Sequence, residues 1–358
     1  MVITTASDRP DTRDSPTSWS VGPVSVAALA DAAGDSVPAL RIPCCVSVLR
    51  IHSRTYYGAA MLTRRRLLFG TAAAITATAA VGVGAIQLAE AGILPGKSTL
   101  DADLGYCDVD VPPGSRAGQT ISGRFSSARR RRTVTYEIAY PPGITPGAKL
   151  PLCLLLHGYG GDAAMALATG DYPAYLAEAV AHGTAPFALA AVSGGNGYWH
   201  PHPGDDPLGM VFDEFLPLLA THGLRVDRMA VLGYSMGGFG ALLAGLTAPG
   251  RFAAVVASSP AFWQSYDESR RVNPGAFGSA ADWRAYGDVL ARAPEIGRLP
   301  VQIYVGSSDS FAPAIRTLRA RLANPDVVHI AKGCHDDSYW RSQAPAQLRL
   351  IGAALAST

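Results

Sequence analysis

Charge is scarce in this chain. Only 16% of its 358 residues are Asp, Glu, Lys or Arg, and 30 basic side chains nearly balance 28 acidic ones. A formal charge of +2 creates no field that would gather polyanions. No basic stretch is interleaved with stacking aromatics, so nucleic acid is not an expected partner. No pair of Cys or His at ligand spacing stands with a second such pair, which argues against a zinc site. No internal repeat of about 20 to 50 residues marks a solenoid or propeller. Cysteine is sparse too: five residues in all, of which Cys107, Cys153 and Cys334 lie beyond residue 91. Outside a reducing compartment one pair could bridge and leave one thiol. Cys153, inside the apolar run "PLCLLLHG", reads as a small buried hydrophobe.

What is present begins with a hydrophobic content of 48%, enough for a substantial core. The start of the chain carries an address. "MLTRRRLLFG" opens at Met61, and Thr63, Arg64, Arg65, Arg66, Leu67 and Leu68 fit the twin-arginine export pattern. No charge interrupts residues 67–89, and "AEA" at 89–91 offers a small-x-small cleavage site. The stretch is therefore expected to direct export, as a cleaved signal or as a membrane anchor; as a helix it would cover roughly 34 Å. A buried cytosolic helix is the competing reading. Residues 1–60 have no sustained periodicity and are expected to be a non-native or disordered extension, with translation beginning at Met61. Residues 92–119 read as a lead-in that packs along the surface or links to the membrane. The basic run Arg129–Arg132 reads as a solvated face and is given no role.

From residue 120 to 358, short β-type runs alternate with helical stretches. "TVTYEIAY" (133–140), "LPLCLLLHG" (150–158), "FALAAVSGG" (187–195), "RMAVLGYS" (228–235), "FAAVVASSP" (252–260) and "VQIYVGSSD" (301–309) read as strands. Most are apolar throughout rather than alternating, as strands buried on both faces are. The expected fold is α/β: a doubly wound, mostly parallel sheet with helices on both faces. Ligands collect at the carboxyl ends of such strands. His157, Ser235 and Asp309 stand there.

"GYSMGG" places Ser235 between a strand and a helix, with Gly233 and Gly237 two residues away on either side. Small neighbours permit a sharp turn that lifts the hydroxyl above the sheet and leaves the Met236 backbone N–H free to bind an oxyanion. A glycine-rich turn without chemistry is the competing reading. The loop "HGYGGD" supplies a second donor, the Tyr159 N–H, while His157 is expected to bond loop backbone. Serine needs a base and the base an orienter, in the chain order nucleophile, acid, histidine. Asp309 and His335 stand in that order. Asp309 could instead cap the following helix, and His335 could be a satisfied loop histidine. The loop "GGNGYWHPHPGDDP" (194–207) carries Tyr198 and Trp199, which either line a substrate pocket or pack the loop. This chemistry needs no cofactor.

With these residues in place, the chain resembles the esterase D branch of the α/β-hydrolase fold over residues 120–358. That branch includes carboxylesterases, S-formylglutathione hydrolases and exported mycolyltransferases. The resemblance rests on the elbow, the HGYGG loop, Asp309, "FDEFLPLL" (212–219), and a tail in which His335 precedes Tyr339, Trp340 and "APAQLRLIG". It implies Ser235, Asp309 and His335 as triad, and the amides of Tyr159 and Met236 as oxyanion donors. Gly160 stands where the mycolyltransferases carry a sugar-contacting arginine, which favours hydrolysis over transfer. The expected protein is an exported serine esterase. Acyl transfer to an envelope lipid or sugar is the runner-up, and a non-catalytic binding module the outlier.

Overall fold

The computed structural model describes residues 101–357. The expectations for the extension, the export signal and residues 92–100 lie outside them. The sheet has eight strands: β1 (Thr120–Ser127), β2 (Arg132–Ala139), β3 (Pro151–Leu156), β4 (Ala188–Val192), β5 (Arg225–Tyr234), β6 (Phe252–Ser258), β7 (Val301–Gly306) and β8 (Val328–Ala331). Their order is β1-β2-β4-β3-β5-β6-β7-β8. β1 and β2 form an antiparallel hairpin, β2 meets β4 antiparallel, and the remaining pairs are parallel.

The helices are α1 (Ala163–Thr169), α2 (Tyr172–Ala181), α3 (Pro207–Met210), α4 (Leu216–Thr221), α5 (Met236–Thr247), α6 (Tyr266–Val272), α7 (Ala280–Asp282), α8 (Ala293–Ile296), α9 (Ala312–Arg321) and α10 (Asp337–Ala356). A π-turn at Val211–Phe215 joins α3 to α4. The period-2 geometry of a strand sorts its apolar side chains into two cores. From β3, Leu152, Leu154 and Leu156 enter one core with Phe215 and Leu219 below the sheet, together with Phe239, Ile296 and Ile315. Cys153 and Leu155 enter the other, with Leu167, Tyr175, Leu176, Leu348 and Ile351 of α1, α2 and α10. Burial on both faces explains the uninterrupted apolar runs.

β1 and β8 are the two elements whose sequence reads least like strand, and both are edges. β1 alternates exposed and half-buried positions, and β8 is four residues long with a mixed pattern. Neither forms the continuous apolar run that signals a central strand.

The lead-in packs onto α2. Tyr175 Oη donates to the Pro112 carbonyl at 2.8 Å, Ser115 N–H donates to Ala174 O at 3.2 Å, and Ser115 Oγ bonds Glu178. Cys107 forms a disulfide with Cys334, while Cys153 is free and buried.

The basic run is not uniformly solvated. Arg130 is 3% exposed and paired with Asp205 through Nε and Nη2, at 2.7 and 3.0 Å, and its Nη1 bonds Ser193 O. The tight β1–β2 turn aims this one guanidinium at the loop after β4, where a carboxylate and a carbonyl satisfy it. Among the described residues no helix is long and apolar enough to cross a membrane.

Candidate active site

Ser235 follows the central strand β5 and immediately precedes α5. Its backbone is strained, at φ 56° and ψ −124°, a conformation that costs on the order of 1–3 kcal/mol in a residue with a Cβ. Three bonds hold it there. Ser235 N–H donates to Ser258 O at 2.9 Å, and Ser235 O accepts from Phe239 N–H at 3.1 Å and Ala261 N–H at 3.0 Å.

Asp309 lies just past β7 and His335 just past β8. The structure brings both to Ser235. His335 Nδ1–H donates to Asp309 Oδ2 at 2.9 Å, and Ser235 Oγ–H donates to His335 Nε2 at 2.9 Å. The carboxylate accepts only, so the proton between the first pair sits on Nδ1 and leaves Nε2 basic toward the serine. The Asp309 side chain is fully buried, that of His335 24% exposed. Asp309 Oδ1 also accepts from Phe311 N–H at 2.8 Å. Orienting His335 and shaping the turn into α9 are thus one carboxylate's two tasks.

The loop after β3 runs beside the serine. A Cβ on Gly158 would lie 2.9 Å from the Tyr234 ring and 3.4 Å from Ser235 Cβ. His157 is fully buried; its Nδ1–H donates to Gly158 O at 2.7 Å and its Nε2 accepts from Gly194 N–H at 2.9 Å. Burial lowers its pKa, which favours the neutral ring these two bonds require. Neither the Tyr159 nor the Met236 N–H is used by a protein acceptor among the described residues. The next amide, Gly160 N–H, donates to Asn196 Oδ1 at 2.7 Å. Asn196 therefore fixes the loop bearing Tyr159. The only hint in the sequence was its place in the loop after β4.

Tyr198 and Trp199 do not line the site; they pack the loop. Tyr198 is 3% and Trp199 1% exposed. The phenol ring meets Phe239, Trp263 and Phe277 at centroid distances of 5.4–5.9 Å. Trp199 lies against His157, ring centroids 5.1 Å apart, and donates to His157 O. Both residues have positive φ, a reversal that turns their rings inward, and a sequence pattern does not reveal it.

A cavity of about 280 Å³ opens on Ser235 and His335 instead. Tyr159, Met165, Thr169, Tyr234, Asp337 and Trp340 line it. Trp340 stands edge-on to His335, centroids 5.3 Å apart, and against Tyr234 at 4.8 Å. Phe311 packs against His335 at 5.1 Å.

A mostly parallel sheet with a serine elbow at its central strand, and an acid and a histidine following in that order, is the α/β-hydrolase fold. Two solved structures share it. A ferulic acid esterase is 22% identical with a TM-score of 0.56, covering 67% of this chain and 99% of its own. The S-formylglutathione hydrolase from Agrobacterium tumefaciens is 18% identical with the same TM-score, covering 68% and 99%. The chain belongs to the Esterase family, whose profile matches residues 127–351. That membership is consistent with the esterase D resemblance over residues 120–358. Among curated proteins it is similar to the iron(III) salmochelin esterase of Escherichia coli O6:H1, 33% identical over 119 residues. That match spans 32% of this chain and 28% of the relative.

Proposed function

We propose that this protein is an exported serine carboxylesterase that works through Ser235, His335 and Asp309 by an acyl-enzyme intermediate. One observation carries the mechanism: an unbroken relay from Ser235 Oγ through His335 to the buried Asp309 carboxylate, each link 2.9 Å long. A serine hydroxyl is a weak nucleophile at neutral pH. His335 Nε2 takes its proton as Oγ attacks the ester carbonyl, and Asp309 stabilises the imidazolium and fixes its tautomer. The amides of Tyr159 and Met236 hold the developing oxyanion. His335 then returns the proton to the leaving alcohol, and water attacking the acyl-serine repeats the cycle in reverse.

Three considerations support export. They are the twin-arginine pattern at residues 63–68, the uncharged stretch at 67–89, and the Cys107–Cys334 disulfide, a bond that persists chiefly in oxidising compartments. Residues 67–89 would provide membrane association if the signal is retained. Transfer to a lipid or sugar acceptor is the second reading, and Gly160 beside the oxyanion loop weighs against it.

The test is turnover of short p-nitrophenyl esters. Ser235→Ala is expected to lower it by up to about a millionfold, the scale of a serine-triad nucleophile. Activity unchanged in that variant would falsify the mechanism. Sugar acceptor offered in competition with water separates transferase from hydrolase, by the ratio of ester product to free acid. N-terminal sequencing of the exported protein tests the signal; recovery of residues 1–60 would refute a start at Met61.

A further inference from the structure

The three members of the relay are not held equally. Ser235 directly follows the central strand, with its backbone N–H and C=O both bonded. His335 rides on the sheet's edge, in the connection from β8 to α10. Around it, Ser307 N–H donates to Ala331 O at 2.7 Å, Ser308 N–H donates to Gly333 O at 3.0 Å, and Asp336 caps α10 through Tyr339 N–H at 2.9 Å. Between those anchors stand Cys334 and His335. Among the described residues, neither makes a backbone hydrogen bond.

The fixed point in that gap is covalent. Cys334 is bonded to Cys107, 227 residues earlier. Cys107 belongs to the lead-in, which is fastened to α2 through Pro112 and Ser115. α2 in turn packs on α10, the helix that follows His335. The result is a closed mechanical circuit: α10, α2, the lead-in, the disulfide, and back to the residue before the histidine. Cutting it at sulfur leaves the relay bonds and the flanking Phe311 and Trp340 rings to hold the imidazole.

We propose that the Cys107–Cys334 disulfide is a positioning element of the active site, holding His335 in register with Ser235 when oxidised and releasing it when reduced. The proposal rests on the reading of Ser235, Asp309 and His335 as the catalytic relay. Cys107 is partly exposed while Cys334 is buried, so a dithiol reductant reaches Cys107 Sγ first. Its thiolate bonds to that sulfur, the S–S bond breaks, and Cys334 leaves as a thiolate that takes up a proton. The reductant's second thiol resolves the mixed disulfide, giving a cyclic disulfide and the Cys107 thiol. Two electrons and two protons are transferred in all. Cys153 takes no part: it is enclosed in the core, and burial pushes its thiol pKa up.

The test uses the full chain, purified oxidised, then treated with dithiothreitol under native conditions. Alkylation and peptide mapping report whether Cys107 and Cys334 are free, and circular dichroism reports folding. Turnover of a short p-nitrophenyl ester gives kcat and KM separately. The rate at which a fluorophosphonate labels Ser235 gives nucleophile reactivity without turnover.

The expected result is a fall of roughly tenfold or more in kcat and in labelling rate, because small displacements of reacting groups are costly. KM should stay within about twofold, since the cavity walls are untouched. The protein should remain folded, and activity should return on reoxidation with glutathione disulfide. Cys107→Ser is expected to reproduce the reduced behaviour and to be indifferent to dithiothreitol. If kcat is unchanged with both thiols demonstrably free, or if activity falls only in step with the folded fraction, the positioning role is overturned. Retained activity in Ser235→Ala, with the disulfide intact, would instead overturn the relay on which the proposal stands.

Discussion

Gly237 offers the sharpest test of how the site is assembled. Where α5 starts, its backbone passes directly over the end of β3. A methyl group built on Gly237 would lie 2.5 Å from the Leu156 carbonyl carbon and 2.7 Å from His157 O, with Leu156 O nearer still. All of these are main-chain atoms of a central strand, which cannot swing aside. Restoring the carbon contact to the ordinary 3.4 Å requires a shift of about 0.9 Å, and clearing the nearer Leu156 O requires slightly more, about 1 Å or above. That shift separates α5, with Ser235 and the Met236 amide, from the loop that carries the Tyr159 amide. The two halves of the proposed oxyanion site move apart. Displacements of about 1 Å cost on the order of a hundredfold in rate, equivalent to about 2.7 kcal/mol of barrier. Overpacking should also remove about 1–3 kcal/mol of stability. The assay is kcat/KM for a short p-nitrophenyl ester on Gly237→Ala, with a urea unfolding curve on the same preparation. Gly250→Ala is the control, because a methyl there meets nothing within 4 Å, and it should alter neither quantity. A folded Gly237→Ala enzyme within about threefold of wild type would refute the packing argument, since the chain would have found room where the geometry allows none.

Three further outcomes follow from the same contacts. Asn196→Ala removes the acceptor for Gly160 N–H and should lower kcat roughly tenfold with little change in KM, whereas Tyr159→Ala keeps the backbone amide and should hold kcat for short esters within about twofold; steady-state kinetics on the pair would show equal effects if Asn196 did not orient the loop. Arg130→Met leaves Asp205 with only the exposed Arg132, 3.5 Å away, and should cost about 2 kcal/mol in urea unfolding, while the reverse result, no shift in midpoint, would mean that Arg132 and solvent satisfy Asp205 fully. Burial lowers the pKa of both His157 and His200 in the folded state, so the unfolded chain binds more protons below the ordinary imidazole pKa of about 6.5. Their contribution to stability is complete above that value and is lost as pH falls below it, and thermal melts between about pH 7.5 and 5.5 should be less pH-sensitive in a His157→Gln/His200→Gln double variant than in wild type.

How far the sequence revealed this arrangement depended on whether the relevant signal was local. Strands β3 to β7 were legible because burial on both faces forces continuous apolar runs, and β2 because its apolar residues alternate with polar ones. Edge strands β1 and β8 face solvent over part of their length and carry no such run. Ser235, Asp309 and His335 could be named because chain order and strand ends restrict the candidates, and the structure brings those three together. Asn196, Phe311, Trp340 and the Cys107–Cys334 pair were not assigned their contacts. Each depends on which loops meet in space, a relation that no spacing encodes. Tyr198, Trp199 and Arg130 show the same limit from the other side. An aromatic pair beside a site and an arginine in a basic run both suggest exposure, yet positive φ turns the rings inward and Asp205 draws the guanidinium under the loop.

These contacts also explain why the strained residue is the secure one and the unstrained base the vulnerable one. A positive φ at Ser235 persists only because the surroundings over-determine it: Ser258, Phe239 and Ala261 clamp its backbone from β6, α5 and the loop beyond β6. Any relaxation of that strain must break main-chain bonds in the middle of the sheet. His335 has no comparable clamp on its own backbone. Its ring is fixed by Asp309, Ser235 and two aromatic neighbours, and its main chain through the residue before it. The nucleophile should therefore keep its conformation in variants that weaken the sheet edge, while the base departs first. Hydrogen exchange resolved by residue would show this as protection retained at the Ser235 and Phe239 amides when Cys107 is replaced, with exchange accelerating at the Ser308 and Tyr339 amides, which donate to Gly333 O and Asp336 Oδ1. Uniform loss of protection across both regions would contradict this division of the site into a rigid half and a tethered half.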